Sequence, residues 1–384
     1  MNHRQKVQRL PARLLDLRTQ RILLVALLAG LLVAGLHPFN FYPHNQVSWL
    51  TETRGVRFRG YGEVVGGTPL GSGSHSGLKS SAPEITVELW VSSSDPSVYV
   101  KDILSIYVSR DQEPFAIEQW GTRLLIGGWF CDRRGNRKFQ RIGINRVFAN
   151  GVRRFVTVTS GPDDTKIFLE GELKDSTPGL VLAPENLEGL LLLGQTALGR
   201  QEWHGDILGL AFYGQELTPD KVAENYAAWR RGDLQELRTG TPGSAIYPFD
   251  EGHGTIVRDF ANSGGTLTIP DRLRAVDPLI LATPSRQDLS NVSDVTLNIL
   301  GFIPLAVLIT IYARSVGASN RKAVIVAVLL GFLVSLIIEL LQVLLPTRDS
   351  SLLDLINNVL GTGIGAWIGV VIWPRVRRLR ESVR

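Results

Sequence analysis

Apolar residues along this chain obey two different rhythms. In four stretches, 22–36, 295–312, 323–345 and 352–373, they run almost without interruption. Between the first and second of these they alternate with polar residues over short segments. The last three runs are each long enough to cross a bilayer as a helix, which takes about 20 residues. The first run, 22–36, is shorter, and a cleavable signal peptide is its rival reading. Against that stand the long basic arm ahead of it (Arg4, Lys6, Arg9, Arg13, Arg18 and Arg21 against Asp16) and the absence of a clear small-x-small cleavage site. His37, Pro38, Phe39, Phe41, Tyr42 and Trp49 then read as an aromatic collar beyond a retained anchor.

The alternating region begins at Ile85-Thr86-Val87-Glu88-Leu89-Trp90-Val91, a period of two that predicts a half-buried strand with Glu88 on its solvent side. Further short strands are expected at 103–108, 123–126, 155–158, 166–169 and 190–193. Turn formers separate them, as in Asp132-Arg133-Arg134-Gly135-Asn136 and Ser160-Gly161-Pro162-Asp163-Asp164. The segment 205–213 is apolar on both alternating faces and should be a central strand. A helix from Pro219 to about Trp229, with Thr218 as its N-cap, interrupts the pattern. Short strands at this spacing predict a sandwich or jelly roll.

Composition sharpens the membrane reading. The 384 residues carry a formal net charge of +5, but the cations sit beside the apolar runs, which points to a membrane and away from nucleic acid. Arg314, Arg321 and Lys322 occupy one loop, and Arg375, Arg377, Arg378, Arg380 and Arg384 the tail, whereas Arg348 is balanced by Asp349. The positive-inside rule therefore predicts cytoplasmic termini, with 37–294 and the short 346–351 loop outside a bacterial cytoplasmic membrane. The expected organisation is a basic arm (1–21), a first span (22–36), an exported β-domain (45–275), a linker (276–294), three further spans (295–373) and a basic tail (374–384). The single cysteine, Cys131, excludes an internal disulfide and a cysteine-based zinc site.

Polar residues inside the last three spans are the sharper chemistry. Glu339 and Gln342 share a helix face with Gly331 and Ser335. Asp354, Asn358, Gly361, Gly365 and Gly369 form a second stripe, its glycine half suited to close helix packing. An ionisable group at the bilayer centre costs about 2.5–3.5 kcal/mol on insertion scales, so the polar half should face the bundle or water. Arg348 can reach either acid, Asn298 adds an amide and Pro304 a kink.

Two resemblances follow. Ile85 to Val91, Trp203-His204-Gly205-Asp206-Ile207-Leu208-Gly209-Leu210-Ala211-Phe212-Tyr213 and the following Leu217-Thr218-Pro219-Asp220 resemble concanavalin A-like lectin/glucanase domains of the laminin-G type. Tyr247-Pro248-Phe249-Asp250-Glu251-Gly252-His253-Gly254 with Asp259 resembles that family's first-strand signature, here placed after the body of the domain. This resemblance implies glycan or protein binding, with Trp120, Trp129 and Trp203 as candidates to stack on sugars. Calcium is common among such domains, although no compact acidic loop stands out, and no acid-x-acid-x-x-acid pattern of a glycan hydrolase is present. The second resemblance is to the VanZ family: Asn298-Ile299-Leu300-Gly301-Phe302-Ile303-Pro304, Glu339-x-x-Gln342 with Arg348, and Asp354-x-x-x-Asn358-x-x-Gly361 occur in that family's order. It implies a cell-envelope protein with a link to resistance against teicoplanin-type glycopeptides.

The expected fold is therefore mixed, a four-helix transmembrane unit with an inserted all-β sandwich. Its expected partners are membrane lipids and an envelope glycan, lipid-linked sugar or envelope protein. Two other readings stay open: a membrane enzyme using Glu339 or Asp354 as acid or base with Arg348 on a phosphate, and a structural scaffold.

Overall fold

The computed structural model describes residues 16–381, apart from 70–83, 94, 96–97, 110–111, 133–134, 150, 198, 200, 241–243, 263–264, 274, 284–291, 347 and 349. Most of the basic arm, the centre of the linker, Arg133, Arg134, Asp349 and Arg384 lie outside the described residues. The chain divides into two compact units, 42–278 and the combination of 1–41 with 279–384.

The first unit is a β-sandwich. Its strands are β1 (Val47–Trp49), β2 (Val56–Phe58), β3 (Val64–Gly66), β4 (Ile85–Ser92), β5 (Val100–Tyr107), β6 (Phe115–Trp120), β7 (Arg123–Cys131) and β8 (Arg137–Ile144). There follow β9 (Arg154–Ser160), β10 (Asp164–Leu169), β11 (Glu172–Pro178), β12 (Leu190–Leu193), β13 (Gly205–Tyr213), β14 (Ala245–Tyr247), β15 (Ile256–Val257) and β16 (Leu267–Thr268). One antiparallel sheet runs β1-β2-β13-β4-β9-β10-β11 with β14 on β13; the other runs β15-β16-β3-β12-β5-β6-β7-β8. Between them lies the main core, in which Val87, Leu89, Leu210 and Phe212 face Leu104, Ile117, Ile126 and Leu191.

The first sheet is also covered on its other side. Two helices, α1 (Leu17–Leu36) in the other unit and α2 (Pro219–Arg231) here, precede the short α3 (Leu234–Gly240). Thr218 caps α2, its hydroxyl accepting from Lys221 N, and Gly232 ends it in the left-handed conformation. Val222, Ala228 and Trp229 of α2 then pack on Phe155, Ala211, Tyr213 and Ile246, forming a second core. Glu88, expected to face solvent, is instead 0% exposed. The alternation places it on the second face of β4 correctly, but α2 roofs that face.

The unit's two ends are fastened together. Asn45 N donates to Asp271 O, and Asn45 Nδ2 donates to Glu63 O at 2.7 Å and Pro270 O at 2.8 Å. Leu273 N donates to Pro43 O, and an isolated bridge pairs His44 with Arg272.

The second unit holds α1, α4 (Val292–Ser315), α5 (Asn320–Gln342) and α6 (Leu352–Glu381), each long and apolar enough to cross a membrane. Large apolar side chains point outward from them, among them Val25, Leu297, Leu329, Leu333, Leu360 and Trp367, an arrangement suited to lipid and unsuited to water. Pro304 sits within α4 without ending it. The glycine stripe of α6 meets α4: a Cβ on Gly361 would strike Ile299 O, one on Gly365 would strike Ile303 O, and one on Gly369 would lie 2.7 Å from Thr310 Cβ. At 1.5 Å per residue α6 is about 45 Å long, more than the roughly 30 Å hydrocarbon layer. Its surplus is the basic stretch after Trp373. That end of the bundle gathers Arg21, whose Nε donates to Tyr312 OH, Arg314 over the Trp373 ring, and Arg380, bonded to Ser315 O.

Candidate functional site

Two places hold the chemistry, one in each unit. In the sandwich it is the face of the second sheet turned away from the core. Strand alternation fixes which residues lie there. Ile117, Ile126 and Ile142 point inward, so Glu118, Gly127 and Arg141 point outward, along with Trp129 and Phe139. A bulge between Asp102 and Leu104 brings Asp102 opposite Glu118 on the same face.

A charged cluster occupies the centre of this face. Arg141 grips Glu118 in a two-pronged pair, Nε to Oε2 at 2.6 Å and Nη2 to Oε1 at 2.8 Å. Glu113, in the loop before β6, lies beside Asp102, and the two carboxyls act on each other. Burial, with the Glu113 and Glu118 charges, pushes the Asp102 carboxyl well above the ordinary range, while Arg141 opposes the shift. Burial raises Glu113 as well. Trp129 and Phe139 meet edge to face at 6.1 Å, and the Arg141 guanidinium lies 5.0 Å from the Phe139 ring. Toward the other edge of the sheet, a groove of about 640 Å³ is lined by Val65, Leu190, Thr268 and Arg272.

The raised carboxyls make a pH dependence predictable. Folded Asp102 and Glu113 release their protons at higher pH than the unfolded chain, which releases them near pH 4. Their contribution is therefore most favourable below that value and is lost as pH rises through the folded values. Asp102→Asn is expected to remove much of this loss. Thermal midpoints taken from about pH 5 to about pH 8 should show the wild type losing ground to the variant as pH rises. A pH-independent difference between the two would contradict this.

The three tryptophans named from the sequence part company. Trp203 is 0% exposed, its ring 5.4 Å from Phe58 and its Nε1 donating to Gln119 Oε1. It is a core residue, and stacking on a sugar is ruled out for it because neither ring face is free. Trp129 is half-buried on the charged face. Trp120 is 44% exposed, covered on one side by Arg123 and donating to Val98 O. It shares the face with Trp129 but lies at the hairpin end, about 20 Å along the strand direction. The acidic and basic members of the cluster, Asp102, Glu113, Glu118 and Arg141, were not singled out from the sequence. They come from three strands and a loop, and only the sheet order makes them neighbours.

In the helical unit the polar residues converge at the end opposite the basic one. Glu339 is buried, and its Oε2 accepts from Ser351 N at 2.7 Å, at the start of α6. Ser351 Oγ in turn accepts from Asp354 N. The preceding segment is held by residues 281–282, with Ala282 N donating to Ser350 O and Leu352 N to Ala282 O. Gln342 Nε2 donates to Gly35 O at 2.9 Å, and Asn358 Nδ2 to Ser335 Oγ at 2.9 Å. Arg348 departs from expectation: among the described residues it pairs with neither Glu339 nor Asp354. It is exposed, and its Nε donates to His37 O just past α1. Asn298 is half-buried on α4 with no hydrogen bond among the described residues.

Residues 255–373 match the VanZ/LLP1 family, and residues 71–223 match the concanavalin A-like lectin/glucanases superfamily. Among curated proteins, none matches this chain. Solved structures similar to the sandwich include the binding domain of botulinum neurotoxin DC in complex with rat synaptotagmin II, at 11% identity and a TM-score of 0.36. Another is described as showing that cell entry of botulinum neurotoxin type C depends upon interaction with two ganglioside molecules, at 12% identity and a TM-score of 0.36. In both cases 48% of this chain is covered, and the chain spans 45% of the other's length. This is thus an integral membrane protein that joins a VanZ-like helical segment to a concanavalin A-like domain of the laminin-G type.

Proposed function

We propose that the protein is a membrane-anchored glycan receptor of the bacterial cell envelope, its sandwich displayed outside the cytoplasmic membrane and its termini inside. The outward face of the second sheet carries this reading. An aromatic pair, Trp129 and Phe139, stands beside a fixed carboxylate–guanidinium cluster, Asp102, Glu113, Glu118 and Arg141. Sugars present apolar C–H faces and hydroxyls that both donate and accept, and this surface supplies a partner for each. The basic arm and tail support the orientation. The VanZ-like segment supports a place in the cell envelope, either in tolerance to teicoplanin-type glycopeptides or in the handling of envelope polysaccharide.

The cluster favours binding over hydrolysis. Glycosidases hold two carboxyls about 5–9.5 Å apart, one to give a proton and one to attack or to activate water, whereas here Asp102 and Glu113 act directly on each other and both oxygens of Glu118 are taken by Arg141. The test uses the full chain in detergent against a panel of envelope polysaccharides. At least one should bind, and Trp129→Ala should weaken it by about tenfold or more, roughly 1.4 kcal/mol, with the thermal midpoint nearly unchanged. Binding to no glycan, or binding indifferent to Trp129→Ala, overturns the proposal.

A further inference from the structure

The hydrogen bonds at the polar end of the helix bundle do not close. Gln342 is buried and spends its Nε2 on Gly35 O, which leaves Oε1 buried and unpartnered. Its amide cannot be turned to mend this, because its oxygen would then face Gly35 O, two acceptors with no donor between them. Asn358 is buried with Oδ1 unpartnered. Turning it over only exchanges the orphan, since the Ser335 hydroxyl can give or take. Asn357 is 4% exposed, and its Nδ2 has no partner. Glu339 uses one oxygen on Ser351 N and has no hydrogen bond to the other among the described residues. In hydrocarbon such groups have no water to fall back on.

Their placement suggests what completes them. Gln342 is the last residue of α5, and Asn357 and Asn358 lie in the second turn of α6, within about 9 Å of its start. This is the depth of lipid head groups and the first acyl carbons, about 5–10 Å. Three open acceptors (Gln342 Oε1, Asn358 Oδ1 and the second Glu339 oxygen) stand against one open donor, Asn357 Nδ2. A phosphate would meet mostly acceptors and be repelled. An ammonium would satisfy the acceptors and leave Asn357 alone. A hydroxyl both donates and accepts.

We propose that this end of the bundle binds the hydroxyl-bearing head group of an uncharged amphiphile, such as a glycosylated or polyol lipid, with Glu339, Gln342 and Asn358 accepting from its hydroxyls and Asn357 donating to one. The site is independent of the ligand of the sandwich face, so either proposal can fail without the other.

The full chain, reconstituted in phosphatidylcholine nanodiscs, is challenged with glucosyl-diacylglycerol, phosphatidylglycerol and phosphatidylethanolamine of the same acyl chains. Lipid retained on the protein is read by native mass spectrometry. Glucosyl-diacylglycerol should be retained about tenfold over phosphatidylethanolamine, and Asn357→Leu and Gln342→Leu should cut that preference to under about twofold. The thermal midpoint of Asn357→Leu in pure phosphatidylcholine should not fall, because an apolar isostere replaces an orphaned amide. Equal retention of all lipids, preference for phosphatidylethanolamine, preference for phosphatidylglycerol alone, or a preference that survives both substitutions overturns the proposal. If the variants do not express, the wild-type ranking alone decides it.

Discussion

Glu88→Leu is expected to destabilise the sandwich by about 3–5 kcal/mol, since each buried donor left without a partner costs about 1–3 kcal/mol. Glu88 Oε2 accepts from Tyr213 OH at 2.8 Å and Trp229 Nε1 at 2.8 Å, and Oε1 accepts from Asn225 Nδ2 at 2.9 Å. These donors come from β13 and from two turns of α2, so one carboxyl ties the helix to the sheet it covers. Leucine keeps the volume and removes every acceptor. Burial raises the Glu88 carboxyl, opposed by its three donors. Replacement by glutamine should therefore be mild, below about 1.5 kcal/mol, because Asn225 can turn its amide to meet the new donor. Urea unfolding followed by tryptophan fluorescence separates the two variants. Equal losses for Leu and Gln would mean that the charge, not the hydrogen bonding, matters.

Gly365→Ile should break the contact of α4 with α6. A Cβ there would run into Ile303 O and come within 2.8 Å of Ala306 Cβ, neither of which can rotate aside. Overpacking alone costs about 1–3 kcal/mol, and against backbone the loss should exceed the upper figure. Gly363 supplies the control, because a Cβ added there meets nothing within 4 Å. Gly363→Ile is expected to keep the wild-type melting point and monodisperse elution in detergent, while Gly365→Ile loses both. If both variants behave alike, the glycine stripe is not a packing surface.

What the sequence made legible follows from how local each signal is. Uninterrupted apolar runs announce membrane helices without reference to any partner, and the 205–213 strand announces its central place because both its faces are apolar. Thr218 and Pro219 mark the start of α2 by local capping chemistry. The strands that escaped reading include β8 and β11, and both lie at sheet edges. Arg137, Lys138, Glu172, Lys174 and Asp175 make them polar along their exposed sides, which is how edges avoid pairing with other chains, and it erases the alternation. The period of two puts Glu88 on the right face, but nothing local to β4 reveals that a helix more than a hundred residues later will cover it. The burial of Trp203 is illegible for the same reason: its partners, Phe58 and Gln119, are brought to it by the sheets. Arg348 was expected beside an acid because it lies between two of them in the chain, yet the carbonyl it reaches belongs to His37.

The fastening of residues 43–45 to 270–273 has a mechanical meaning. A pull on the chain from either side of the sandwich is taken up by that short clasp, not by the sheets behind it. The strands need not yield for their tethers to be loaded. The domain's chain therefore enters and leaves at one place, within one hydrogen bond of itself.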